Sequence, residues 1–234
     1  MITFVGDVHG WLDRLDRVVA QSEGAIVFLG DLIDRGPQSR EVVARVRELC
    51  AAGRARCVMG NHEYAFIRAL GVPARGIPGD AALHDFWLEF YGGWATARAY
   101  GAAEGGEALR AAAAEDLEWM ADLPWYLAGE SEGHAYLVAH AGLSREPLAR
   151  QLARMENTPA RYGPEVELPE DLYAKNRVGT YPLDMPVGTT VVFGHVPLPE
   201  ALMTGECLGV DTTGGWPGAR LTGVIWPEGR IIRS

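Results

Sequence analysis

Lysine is almost missing from this chain: Lys175 stands alone against twenty arginines. No G-x-x-x-x-G-K block can be assembled, which excludes a nucleotide-binding P-loop. Cysteine is equally scarce. Cys50, Cys57 and Cys207 are odd in number and match no paired metal spacing, so they read as reduced thiols of a cytosolic protein. No run of about 18 apolar residues occurs, so no transmembrane helix and no membrane partner is expected. The chain opens directly in the apolar Ile2–Val5, without a basic region or small-residue cleavage site, so a secretory signal is not expected and a cytoplasmic location is. Positive charge is in deficit too. A net charge of −10 without a basic stripe argues against a nucleic-acid duplex as partner.

What is present suffices for one sizeable core. With 234 residues and 48% apolar content, and no linker, the chain reads as a single catalytic domain over residues 1–234. Apolar runs at Ile2–Val5, Ala25–Leu29 and Ala55–Met59 alternate with helical periods at Trp11–Gln21, Ser39–Ala52 and Glu63–Leu70. That order predicts parallel strands with functional groups at their C-terminal ends. Gly71–Asp80 reads as a loop. Ala81–Phe90 and Glu107–Ala121 read as helices, separated by the turn-rich Tyr91–Trp94 and Tyr100–Gly106. Leu123–Leu127 returns to extended structure, and Ala135–Ala139 is a strand ending at His140. Residues 157–186 read as a long loop, a length often tied to function. Thr189–Phe193, Cys207–Val210 and Leu221–Trp226 read as strands of a second, mostly antiparallel layer. The expected class is α/β: two mixed sheets face to face, with helices outside.

Polar blocks follow the apolar runs: Gly6-Asp7-Val8-His9-Gly10, Gly30-Asp31-Leu32-Ile33-Asp34-Arg35-Gly36, Gly60-Asn61-His62-Glu63, His140-Ala141-Gly142 and Gly194-His195. Aspartate, histidine and asparagine offer oxygen and nitrogen ligands suited to Mn²⁺, Fe or Zn²⁺. Two such ions roughly 3.5–4 Å apart can hold a hydroxide and polarise a phosphoryl oxygen. Arg35 offers a planar fork for phosphate. His62 is a candidate acid for the leaving alkoxide, with Asp34 able to hold its ring. Glu63 reads as support for the turn or the following helix. Trp87, Trp94 and Trp119 read as packing residues.

In this order the blocks GDVHG, GDLIDRG, GNHE, HAG and GH resemble the phosphoprotein phosphatase branch of the calcineurin-like metallophosphoesterases. YGGWATARAY at Tyr91–Tyr100, LPWY at Leu123–Tyr126 and the Val210–Leu221 stretch extend the resemblance over most of the chain. It implies that Asp7 and His9 bind a first metal, Asp31 bridges, and Asn61, His140 and His195 bind a second. It further implies His62 as general acid paired with Asp34, Arg35 and Asn61 toward substrate phosphate, and a manganese pair, with iron or zinc as alternatives. The family's second substrate arginine lies between HAG and GH; Arg177 is the candidate here and Arg161 its rival. Val196 stands where threonine is common, and Thr212-Thr213 follows Asp211. The implied reaction is direct hydrolysis without a phosphoenzyme, first of phosphoserine or phosphothreonine in proteins. Symmetrical cleavage of dinucleoside tetraphosphates is the alternative, and an inactive binding module on the same fold a third reading.

Overall fold

In a computed structural model of the protein, residues 1–102, 105–156, 162 and 169–234 are described. β1 (Ile2–Val5), β2 (Ala25–Phe28) and β3 (Ala55–Cys57) pair in parallel. Each is followed by a helix: α1 (Leu12–Gln21), α2 (Ser39–Ala51) and α3 (Asn61–Leu70). β9 (Thr222–Trp226) and β10 (Arg230–Arg233) extend this sheet antiparallel on the far side of β1, giving the order β10-β9-β1-β2-β3. The second sheet holds β4 (Tyr126–Ser131), β5 (His134–Ala139), β6 (Thr189–Phe193), β7 (Leu202–Met203) and β8 (Cys207–Gly209), in the order β4-β5-β6-β8-β7.

Strand alternation divides the interior in two. Phe4, Val27 and Leu29 point between the sheets, where they meet Tyr136, Val138 and Val192. Phe4 and Tyr136 touch edge to face at 5.2 Å. Val5, Ile26 and Phe28, one residue out of phase, join the larger core under the helices. Strands buried on both faces carry the continuous apolar runs seen in the sequence.

The expected mostly antiparallel second layer is corrected in two respects. β6 runs parallel to β5, and β8 parallel to β6, because each is joined to its predecessor by a connection rather than a tight hairpin, the second passing through β7, which pairs antiparallel with β8. The Leu221–Trp226 run belongs to the first sheet, beside β1. A run that is apolar on both faces does not say which sheet edge it joins.

α4 (Ala81–Phe90) has the expected bounds, and the Asp80 carboxylate caps it by accepting from Ala82 N and Leu83 N. α5 (Gly93–Ala99) occupies a stretch whose opening glycines read as a turn. Gly92 is in the left-handed region (φ 79°) and starts the helix. Gly93 is small because a Cβ there would sit 2.5 Å from the Trp87 ring. The expected Glu107–Ala121 helix is two, α6 (Gly106–Ala112) and α7 (Ala114–Ala121). α8 (Leu148–Glu156) precedes the expected long loop, and α9 (Glu170–Tyr173) lies within it. Residues 157–161 and 163–168 of that loop, Arg161 among them, lie outside the described residues. No described helix is long and apolar enough to cross a membrane.

Candidate metal centre

The polar blocks follow the C-terminal ends of β1, β2, β3, β5 and β6, and parallel pairing carries these ends to one side of the molecule. Hydrogen bonds then tie the two sheets together there. His140 Nδ1 bonds Leu29 O at 2.6 Å, and His195 N donates to Asp7 Oδ2 at 3.0 Å. A Cβ on Gly194 would lie 2.3 Å from Asp7 Oδ1, so only glycine permits this approach. His9, Asp31, Asp34, Arg35 and His195 all have positive φ, between 48° and 71°. The one other described non-glycine residue in that region is Glu132, in the β4–β5 turn. Left-handed backbone at bulky residues is strained and persists where surrounding contacts impose it.

Glu63 supplies much of that constraint. Its buried carboxylate accepts from Asp31 N and Leu32 N, both at 2.8 Å, from Ile33 N at 3.3 Å and from Gly60 N at 3.2 Å. The expected turn support is therefore a clamp holding the Asp31 loop to the start of α3. Glu63→Ala would leave these buried donors without a partner and should lower unfolding free energy by at least about 3 kcal/mol. Urea denaturation reads this directly; a loss below about 1 kcal/mol would contradict the clamp.

Two groups of potential ligands share Asp31: His9, Asp31 and His62, and Asp31, His140 and His195. Asp31 Oδ2 lies 3.7 Å from His9 Nε2, and Oδ1 lies 3.3 Å from His140 Nε2. Asn61 Oδ1 completes the second group, 2.9 Å from His140 Nε2 and 2.8 Å from His195 Nδ1. Because His140 Nδ1 faces a carbonyl, it carries the ring proton, and Nε2 turns a lone pair toward two oxygen acceptors. Acceptors facing one another require positive charge between them, as a second ring proton or a cation. Asp211 Oδ2 is also buried without a hydrogen-bond partner among the described residues. This oxygen and nitrogen set fits divalent transition metals.

Burial holds His9 well below its ordinary pKa, and lowers His62 to about 3 and His195 to about 4. These rings are neutral at pH 7, the form a metal requires. Asp31 is pushed up by burial, but His140 and His62 outweigh that and hold it well below the usual carboxylate range. Asp7 is driven the other way, first by burial and then by Asp211 and Asp31. A cluster of buried carboxylates is relieved by a bound cation.

His62 has both ring nitrogens engaged. Arg35 Nη2 donates to Nε2 at 3.1 Å, so the ring proton sits on Nδ1 and points at Asp34 Oδ2, 2.7 Å away. Asp34 is fully buried. Burial raises its pKa, while Thr96 Oγ1 and Trp87 Nε1 work against that by donating to it at 2.7 and 2.9 Å. Trp87, expected only to pack, thus also anchors Asp34, and Thr96 joins it. Neither carries a sequence signal apart from its place before or within the YGGWATARAY stretch.

The sequence model for the calcineurin-like phosphoesterases matches residues 1–221. The chain belongs to the calcineurin-like phosphoesterase family. Among relatives, a symmetrical bis(5'-nucleosyl)-tetraphosphatase of Ralstonia nicotianae is 39% identical over 61 residues, 25% of this chain and 22% of that protein. A protein of the same name from Yersinia pestis (strain Pestoides F) is 36% identical over 81 residues, 32% of this chain and 27% of the relative. These matches span about a quarter of the relatives' lengths. A crystal structure provisionally assigned as a diadenosine tetraphosphatase superposes with a TM-score of 0.61 at 22% identity, covering 100% of this chain and 92% of that one. A protein serine/threonine phosphatase from Saccharomyces cerevisiae gives 0.60 at 18% identity, covering 100% and 78%. At these identities the likeness is one of fold.

Above the metal-ligand candidates this phosphoesterase has an open cavity of about 480 Å³, lined by Asp31, Arg35, Asn61, His62 and His195, and further out by Lys175. Arg177 is not part of the lining. It is buried, held by Asp171 at 3.2 Å, Glu170 at 3.0 Å and the Gly142 carbonyl at 3.3 Å. Its guanidinium engages α9 and the HAG turn, away from the residues that line the cavity. Lys175, which makes no ion pair among the described residues, faces the cavity instead. Lys175→Ala should raise KM for a polyphosphate substrate about five- to tenfold and leave Tm unchanged. Arg177→Met should lower stability by about 1–3 kcal/mol through the lost charged hydrogen bonds to Asp171 and the Gly142 carbonyl, Asp171 keeping its two bonds from Arg154. Steady-state kinetics and thermal melts on both variants separate the roles; a KM effect confined to the Arg177 variant would reverse them.

Proposed function

We propose that this chain is a catalytic unit that hydrolyses phosphate esters and anhydrides with two divalent metal ions, and that dinucleoside polyphosphates are its substrate class. The observation that carries the reaction type is the sharing of Asp31 by two ligand groups beside the His62–Asp34 pair and the Arg35 fork. Asp7, His9 and Asp31 would hold one ion, and Asp31, Asn61, His140 and His195 the other. Manganese is our choice; iron and zinc suit the same donors. Bound there, the ions supply Lewis acidity toward a phosphoryl oxygen and lower the pKa of water.

The chain's own groups do the rest. Arg35 is anchored through Nη1 to the Gly214 carbonyl and His9, and its Nη2, beside His62, orients an arriving phosphate. Burial first, and the Arg35 charge after Asp31 has acted against both, depress the His62 ring. A phosphate that engages Arg35 offsets its charge and allows Nε2 to take a proton from solvent water through the open cavity. Nε2 then delivers that proton to the leaving oxygen, while Asp34 keeps the ring in position and stabilises its charged form. Trp87 and Thr96 hold Asp34 in turn.

For the substrate, the sequence alone favoured phosphoserine and phosphothreonine. Two cations at one cavity, Arg35 and Lys175, suit a run of phosphates better, and the relatives' names point the same way. The free cysteines at 50, 57 and 207 fit a reducing compartment, and we take the cytoplasm as the site of action. A side-by-side assay with Mn²⁺ tests the reading. Diadenosine tetraphosphate should give two molecules of ADP with kcat/KM at least about tenfold above that of a phosphothreonine peptide. Preference for the peptide would overturn it, and absence of any turnover would favour the binding module.

A further inference from the structure

We propose that Phe90 and Trp216 are stacking shelves for the two nucleobases of the substrate. The inference rests on the dinucleoside polyphosphate reading and adds to it a binding site for the nucleoside ends. Both rings are strongly exposed, 73% for Phe90 and 70% for Trp216, and both line the cavity that contains Asp31, Arg35 and His62. They come from separate elements, the last residue of α4 and the loop that follows Asp211. The more exposed aliphatic residues, Leu183 and Val187, do not line this cavity.

The backbone under each ring is fixed although the ring is not covered. Trp216 N donates to Thr213 O at 3.0 Å, and Trp216 O accepts from Arg14 Nη1 at 3.1 Å. Gly214 makes room beside the indole: a Cβ there would lie 3.1 Å from Trp216 Cδ1 and 2.8 Å from Pro197 Cγ. Phe90 is backed by Phe86, with ring centroids 4.7 Å apart. It lies one turn beyond Trp87, which is fully buried and bonded to Asp34. Water is a poor neighbour for such rings, whereas the face of a purine is a good one. Stacking of a base on an aromatic side chain is worth about 1–3 kcal/mol, and every base has a face to offer. The cavity thus combines cations for phosphates with flat apolar rings for bases, the two chemistries joined in a nucleotide.

Phe90→Ala, Trp216→Ala and the double variant test this, with Trp94→Ala as control. Trp94 is 40% exposed on α5 and does not line the cavity. The ratio of kcat/KM for diadenosine tetraphosphate to that for p-nitrophenyl phosphate should fall about tenfold in each single variant and about a hundredfold in the double. The control should keep the parent ratio. ADP should quench tryptophan fluorescence in the parent and in Trp94→Ala, and much less in Trp216→Ala. If the parent cleaves the dinucleotide but the variants keep its ratio, the shelves are refuted and the substrate reading stands. Should the parent prefer a phosphopeptide, with the variants losing that activity, the rings serve a peptide and both readings fail. Absence of ADP quenching in the parent refutes the Trp216 shelf whatever the turnover.

Discussion

Asp31→Asn should abolish nearly all activity, lowering kcat/KM by at least about three orders of magnitude, or about 4 kcal/mol of transition-state stabilisation. Asp31 is the one carboxylate common to both ligand groups, and its two oxygens reach toward His140 on one side and His9 on the other. An amide keeps the shape and can still accept from His62 N, as Oδ1 does at 3.1 Å. It removes the charge that both sites share and the oxygen ligand on the His9 side. Metal content after dialysis should fall from near two ions per chain to below one, while circular dichroism stays close to the parent and Tm falls toward that of the metal-stripped parent. A variant that keeps two ions and a tenth of the activity would show that Asp31 does not bridge.

The second large effect is expected at His62. His62→Asn should reduce kcat for diadenosine tetraphosphate by about two to four orders of magnitude, the range associated with losing a positioned acid. The loss should be several-fold smaller with p-nitrophenyl phosphate, because p-nitrophenolate leaves without help from a proton. Metal content should remain near two. This last measurement matters, because His62 also lies within reach of Asp31 Oδ2, at 3.8 Å, and groups with His9 as a potential ligand. Its Nδ1 is committed to Asp34 and its Nε2 to Arg35. Equal losses for both substrates together with a missing ion would make His62 a ligand and leave the acid unassigned.

The parallel half of the first sheet, β1 to β3, was legible because its β-α-β rhythm is local: each of these apolar runs is followed by its own amphipathic helix. The site blocks were legible for the same reason, since every one stands directly after a strand. Partners supplied from far along the chain were not. Trp87 and Thr96 reach Asp34 across 53 and 62 residues, and nothing in a tryptophan marks whether its N–H meets water or a carboxylate. Arg177 and Lys175 are two residues apart and both cationic, and only the positions of Glu170 and Asp171 decide which one is consumed by an ion pair. The direction of β6 depends on the length and path of the crossover before it, which periodicity does not record. α5 was hidden because Gly92 and Gly93 look like a break, although one of them opens the helix and the other fits under Trp87.

The left-handed residues have a consequence for anyone who engineers this protein. A routine search for stability replaces non-glycine residues of positive φ by glycine, which relieves local strain wherever the side chain is dispensable. Here five of the six described candidates are His9, Asp31, Asp34, Arg35 and His195, so the same search would dismantle the site. Only Glu132, in a surface turn, can be exchanged without touching it. Stabilisation and activity are therefore set against each other at known addresses, and gains in robustness must be sought in the helices and the sheet cores instead.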